Sequence, residues 1–172
     1  ENAKLQIVNP YSLSKKICED ICLFYKEKKG LKLTIVRPFN IYGFSMKKHC
    51  LIMSIIRQLR DNNNILIRDL KPKRDFIYIR DLCELIKNII DKNAQNHIFN
   101  AGSGKSHSVK EVLDIIQSLT NHALTVEISG NERSNEIHET IADISKAKEF
   151  LGWEPKWSLK DGIKEILDLS GQ

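Results

Sequence analysis

The chain has 172 residues, 41% hydrophobic and 28% charged, with a net charge of +5. That length suffices for one domain with a real core, and no apolar run has the length of a membrane span or the form of a signal peptide. Lys and Arg are scattered, not stacked in a block, so the charge suits small anionic ligands such as phosphates at least as well as a nucleic-acid groove.

Residues 1–8 read as an exposed approach. Asn9 can cap a helix whose first position is Pro10, where the missing N–H does no harm. Leu13, Ile17, Ile21 and Phe24 or Tyr25 recur at helical spacing until Gly30 ends the run. Cys18 and Cys22 widen this stripe, which predicts burial against more than one neighbour. The head of the helix, N-P-Y-S-L-S-K at 9–15, places Tyr11 and Lys15 one turn apart on one face. A fixed ammonium beside a phenol favours the phenolate, so such a pair can exchange a proton with a sugar or alcohol hydroxyl. Taken alone, the same pattern also describes a packing tyrosine and a solvated lysine.

L-K-L-T-I-V at 31–36 predicts a strand that Arg37-Pro38 ends. A polar loop over 39–43 follows and carries Asn40. Ligands in α/β folds sit beyond the carboxyl ends of strands, which is where Asn40 falls, although a turn-forming Asn reads equally well. A helix over 47–59, a strand over 65–67, a basic loop over 68–74 and a strand over 75–79 come next. Asp81 is placed to cap a helix over 82–90 and reads as structural. Lys71, Lys73 and Arg74 either bind an anion or keep a loop wet. Residues 97–100 make a strand leading into A-G-S-G-K-S, which resembles the tail of a phosphate loop. The full pattern needs Gly at 99, where Phe99 stands, so a tight turn is the better account. Ser108 and Glu111 form a capping box for a helix to Leu119. A strand over 124–128, a polar loop over 130–136 with Arg133, and an extended stretch over 137–142 follow. Asp143 can cap a helix over 144–151, and Ser158 opens the last helix in capping-box spacing with Asp161.

The four cysteines, Cys18, Cys22, Cys50 and Cys83, lie in apolar helical patterns with no partner pair to complete a zinc site. They read as buried reduced thiols, and so the compartment as cytoplasmic.

In this order the segments resemble the extended short-chain dehydrogenase/reductases, in their nucleotide-sugar epimerase and dehydratase branch. The residues that carry the resemblance are N-P-Y-S-L-S-K at 9–15, L-T-I-V-R-P-F-N-I-Y-G at 33–43, R-D-F-I-Y-I-R-D-L at 74–82, F-N-A-G-S-G-K at 99–105 and D-I-S-K-A-K-E-F-L-G-W-E-P at 143–155. The implied fold class is α/β: residues 1–172 would be the C-terminal part of a Rossmann-type parallel sheet with flanking helices, plus a small nucleotide-sugar-binding region. The resemblance implies that Tyr11 is the acid/base and that Lys15 holds the nicotinamide ribose of NAD or NADP and favours the Tyr11 phenolate. It also implies that Pro38 lies beside the nicotinamide, that Asn40 meets the diphosphate region of a nucleoside-diphosphate sugar, and that Arg74 and Arg133 bind its phosphates. A homodimer through the Tyr11–Lys15 helix is implied as well, with no nucleic-acid or membrane partner.

Three departures stand out. The family's G-D-G ahead of the R-D-F strand is here Arg68-Asp69-Leu70, and its R-P-G-D reads Arg133-Ser134-Asn135-Glu136. The front half, with its G-x-x-G-x-x-G turn, and the Ser/Thr that precedes the Tyr are absent. The resemblance therefore places activity in a longer parent protein, an epimerase working through transient C4 oxidation. A 4,6-dehydratase, a 4-keto reductase and a non-catalytic sugar-nucleotide-binding module are the alternatives.

Overall fold

The computed structural model describes residues 1, 7–46, 50–62, 64–120, 124–130 and 137–171. In chain order these form α1 (Pro10–Lys29), β1 (Ile35–Pro38), β2 (Asn40–Tyr42), α2 (Leu51–Asn62), β3 (Asn64–Ile67), β4 (Lys73–Tyr78), α3 (Ile79–Asp91), β5 (Ile98–Ala101), β6 (Ser106–Ser108), α4 (Val109–Thr120), β7 (Thr125–Ile128), β8 (Glu139–Thr140), α5 (Ser145–Leu151) and α6 (Leu159–Leu169). The expected α/β class is what the chain adopts. Residues 47–49, where the second helix was expected to begin, lie outside the described residues.

Strands pair in three groups. β1 lies parallel to β5, and β3 parallel to β7. β4 sits between β2, which is parallel to it, and β6 and β8, which are antiparallel and parallel to it. The expected strand over 31–36 is displaced toward the carboxyl end and runs through Pro38. Residues 39–43, expected as a loop, contain β2. Proline lacks an N–H but favours extended backbone in the residue before it, so the chain stays extended. It passes from one sheet to the other at Phe39, whose N–H donates to Ala101 O at 2.8 Å.

Side chains alternate across the strands and fill two cores. Phe76 and Tyr78 of β4 join Tyr42, Ile65, Ile55, Val112, Ile116 and Ile163 between β2, β3, α2, α4 and α6. Ile77, pointing the other way, joins Leu85, Phe99, Ala147, Leu151 and Trp153. Asp81 is structural, as expected, but not as a cap. It lies within the first turn of α3, and its carboxylate accepts Lys156 N at 2.9 Å and Trp157 N at 3.2 Å. Burial pushes this carboxyl up from its ordinary range, against the pull of those two N–H donors. It thereby ties the last segment of the chain to α3.

Two expectations of burial are corrected. α1 buries no residue: Ile17, Ile21 and Phe24 are about half exposed at 47%, 51% and 55%. The apolar row exists, but no described element of this chain covers it. A forked ion pair ties the helix to β1, with Arg37 Nε and Nη2 donating to the two Glu19 oxygens at 2.9 and 2.6 Å. Nor are the cysteines buried. Cys18 and Cys22 are exposed because α1 buries no residue, Cys83 is exposed on α3, and Cys50, just ahead of α2, is half-buried.

Tyr78 packs against Tyr42 and Trp157 and donates to Glu165. Burial first, and that hydrogen bond second, push its phenol up to about 12 from an ordinary value near 10. The neutral form is the one the fold favours, so its stabilising contribution is complete below pH ~10 and fades as pH rises toward the folded value. Denaturant midpoints measured across that window should fall faster for the wild type than for Tyr78→Phe. Parallel curves would exclude this linkage.

Candidate functional site

α1 starts where it does because Asn9 and Ser12 satisfy each other. Asn9 Oδ1 accepts Ser12 N at 2.8 Å, and Ser12 Oγ accepts Asn9 N at 3.1 Å. Pro10 occupies the first helical position, and Gly30, at φ 64°, ends the helix. This box fixes Tyr11 in the first turn. Lys15, one turn on, places Nζ 5.3 Å from the Tyr11 ring centroid, and the phenol is 70% exposed.

Tyr11 stands at a cleft of about 800 Å³ that opens off the carboxyl ends of β1 and β3. Pro38, Asn40 and Arg74 line the same cleft. Four of the six residues singled out in the sequence thus share one cavity, and Lys15 stands over the ring of one of them, Tyr11, without lining the cavity itself. Arg133 lies outside the described residues. Of the basic loop, Arg74 lines the cleft while Lys71 and Lys73 do not.

Asn40 and Arg74 are held by backbone. Asn40 Nδ2 donates to Asp75 O at 2.9 Å, and Arg74 Nη1 donates to Lys73 O and Ile137 O at 2.9 and 2.7 Å. Alternation along β4 then turns the next side chain, Asp75, away from the cleft. Its fully buried carboxylate accepts Ser103 N, Ser103 Oγ, Gly104 N and Ala142 N at 2.7, 2.8, 2.9 and 3.0 Å. Gly102 is required here, since a Cβ at that position would stand 2.7 Å from Asp75 Oδ2 and 2.3 Å from Ala142 Cβ. The A-G-S-G-K-S stretch is the tight turn expected, joining β5 to β6. Two of its N–H groups, which in a phosphate loop would face phosphate, face Asp75 instead.

Sequence reasoning passed over two residues. Asp75 gave one hint, an acid at the head of the apolar run 76–79. Arg68 stood out as a departure from the G-D-G pattern, without a role; it lines the cleft beside Arg74. Among the described residues no cluster of His, Cys, Asp and Glu could hold a metal ion, and no helix is long and apolar enough to cross a membrane.

Comparisons with known proteins agree with this architecture. The family model described as GDP-mannose 4,6 dehydratase matches residues 1–166. A putative UDP-glucose 4-epimerase of Methanocaldococcus jannaschii is 33% identical over 98% of this chain and 55% of its own length. A UDP-glucuronate 4-epimerase of Thermodesulfobacterium geofontis is 31% identical over 95% of this chain and 50% of its own. The chain spans about half the length of the curated relatives it matches. Among solved structures, the UDP-glucose 4-epimerase of Thermotoga maritima with UDP-glucose aligns at a TM-score of 0.85 and 26% identity, over 97% of this chain and 56% of that one. The UDP-glucuronic acid 4-epimerase of Bacillus cereus, in complex with UDP-glucuronic acid and NAD, aligns at 0.88 and 24% identity, over 99% and 56%, and speaks to the fold alone.

Proposed function

We propose a function from one premise: this chain belongs to the GDP-mannose 4,6 dehydratase family, among the extended short-chain dehydrogenase/reductases. It is read as the C-terminal part of a cytoplasmic, NAD- or NADP-dependent enzyme that epimerises a nucleoside-diphosphate sugar at C4. The observation that carries the reading is the single cleft shared by Tyr11, Pro38, Asn40 and Arg74.

The residues present fit the reactive end of a nicotinamide dinucleotide. An exposed phenol with an ammonium above its ring stands in one cleft with a proline, whose apolar ring ends a parallel strand. The cradle for the pyrophosphate is not among the described residues, and the 101–106 turn offers no substitute with its N–H groups given to Asp75. When bound, the nicotinamide accepts a hydride and returns it. With a nicotinamide there to take up and return the C4 hydride, Tyr11 Oη would take the C4 hydroxyl proton and give it back. Lys15 would hold the nicotinamide ribose. Asn40, Arg74 and Arg133 hold the diphosphate, so the sugar ring can turn over while its anchor stays fixed. The exposed row on α1 supports a homodimer formed through that helix.

The test supplies UDP- and GDP-sugars to the full-length protein and separates the products. A 4-epimer of unchanged mass is expected, and sedimentation of the same preparation should give twice the chain mass. A 4-keto-6-deoxy product, lighter by one water, would make the protein a dehydratase. No turnover together with tight sugar-nucleotide binding would make it a binding module.

A further inference from the structure

Arg68 follows Ile67, the last residue of β3, and lines the cleft that also holds Asn40 and Arg74. We propose that Arg68 is a second phosphate contact in this cleft and a specificity-determining residue. It is seated where the family's G-D-G pattern carries no side chain, and the assignment rests on the nucleoside-diphosphate-sugar reading above.

Three observations carry it. First, the side chain is held. A Cβ at Gly130 would stand 2.5 Å from Arg68 Cγ and 3.1 Å from Nε, so glycine lets the backbone beyond β7 lie directly on the arginine stem. That backbone is itself fixed, because Ser129 N donates to Ile67 O at 2.9 Å and carries the β3–β7 ladder one residue further. A side chain already pinned loses less rotamer freedom on binding. Second, the neighbouring acid is otherwise engaged: Asp69 Oδ1 accepts Lys71 N at 2.9 Å and closes the loop. Among the described residues no acid forms an ion pair with Arg68. Third, two guanidinium groups, Arg68 and Arg74, share one cleft. Their forked, permanently charged donors match phosphate oxygens. A cleft so lined favours a diphosphate over a monophosphate, since the diphosphate gives both groups an oxygen to hold.

The experiment is calorimetric titration of the full-length protein with UDP, GDP, UMP and uridine, in the wild type, Arg68→Met and Gly130→Ala. Arg68→Met keeps the stem on Gly130 and removes the charge, so the local fold is preserved. It should weaken UDP and GDP by about tenfold or more, weaken UMP less, and flatten the dependence of affinity on salt. Gly130→Ala, which touches no ligand, should weaken UDP in the same direction by displacing the stem. Equal affinity for UDP in the wild type and Arg68→Met overturns this assignment and leaves the functional reading intact. An equal loss for uridine also overturns it, since the contact would then be to the base. If wild-type protein binds neither UDP nor GDP, the functional reading fails and this inference with it.

Discussion

Tyr11→Phe in the full-length protein is expected to lower turnover by about 10²–10⁴-fold, the range that a positioned acid/base contributes, and to leave sugar-nucleotide affinity nearly unchanged. The substitution removes one oxygen. It leaves the Asn9–Ser12 box, the helix start and the ring beneath Lys15 in place. Because the phenol is 70% exposed and makes no hydrogen bond through its hydroxyl among the described residues, stability should not move with it. A lost rate at constant stability and constant affinity is the signature of a group that acts in the transition state alone. Measuring kcat beside the denaturant midpoint separates this from misfolding. Wild-type turnover in Tyr11→Phe would leave Tyr11 as an ordinary exposed residue and remove the centre of the proposed mechanism.

Asp75→Ala should be strongly destabilising. Its carboxylate is fully buried and accepts four hydrogen bonds, three of them from backbone N–H groups: that of Ala142, which is buried, and those of Ser103 and Gly104, which are half-buried. A buried donor left without a partner costs about 1–3 kcal/mol. Even with partial relaxation the sum should reach about 3–5 kcal/mol, set against a total of roughly 5–15 kcal/mol for a domain. Asp75→Asn fills the same space but turns an NH₂ toward one or more of those donors, so it should lose less and in the same direction. Chemical denaturation followed by far-UV circular dichroism provides the check. A midpoint close to the wild type in Asp75→Ala would mean that the β5–β6 turn and residue 142 are held by something other than this acid.

What the sequence made legible were the features that rest on local rules. The Asn9-Pro10 start of α1 and the Ser108–Glu111 box follow from side chains that bond nearby backbone, and the Gly30 stop from the left-handed backbone that glycine adopts freely; all three are present. The gathering of Tyr11, Pro38, Asn40 and Arg74 was legible through resemblance, since no spacing rule joins residues 11 and 74. Features decided by distant contacts were not legible. Helical periodicity states that α1 has an apolar row, but not whether a neighbour covers it. The role of Asp75 depends on residues 103, 104 and 142. Asp81 sat where a cap belongs, yet its partners are 156 and 157, brought over by the end of the chain. Residues 39–43 looked like a loop because Pro38 precedes them and Gly43 ends them, while the strand that pairs with residues 40–42 lies more than thirty positions away.

The crossing at Phe39 bears on how this protein would admit its ligands. A single residue separates the strand that carries Pro38 from the strand that begins with Asn40, and its own N–H is committed to Ala101. Enzymes that open and shut like jaws need a supple connection between their halves, and here the connection is one residue bonded to β5. On the function proposed above, this crossing would set the span from the nicotinamide side to the sugar-nucleotide side. On that same function, discrimination among sugars would come from whether a molecule is the right length to bridge that span.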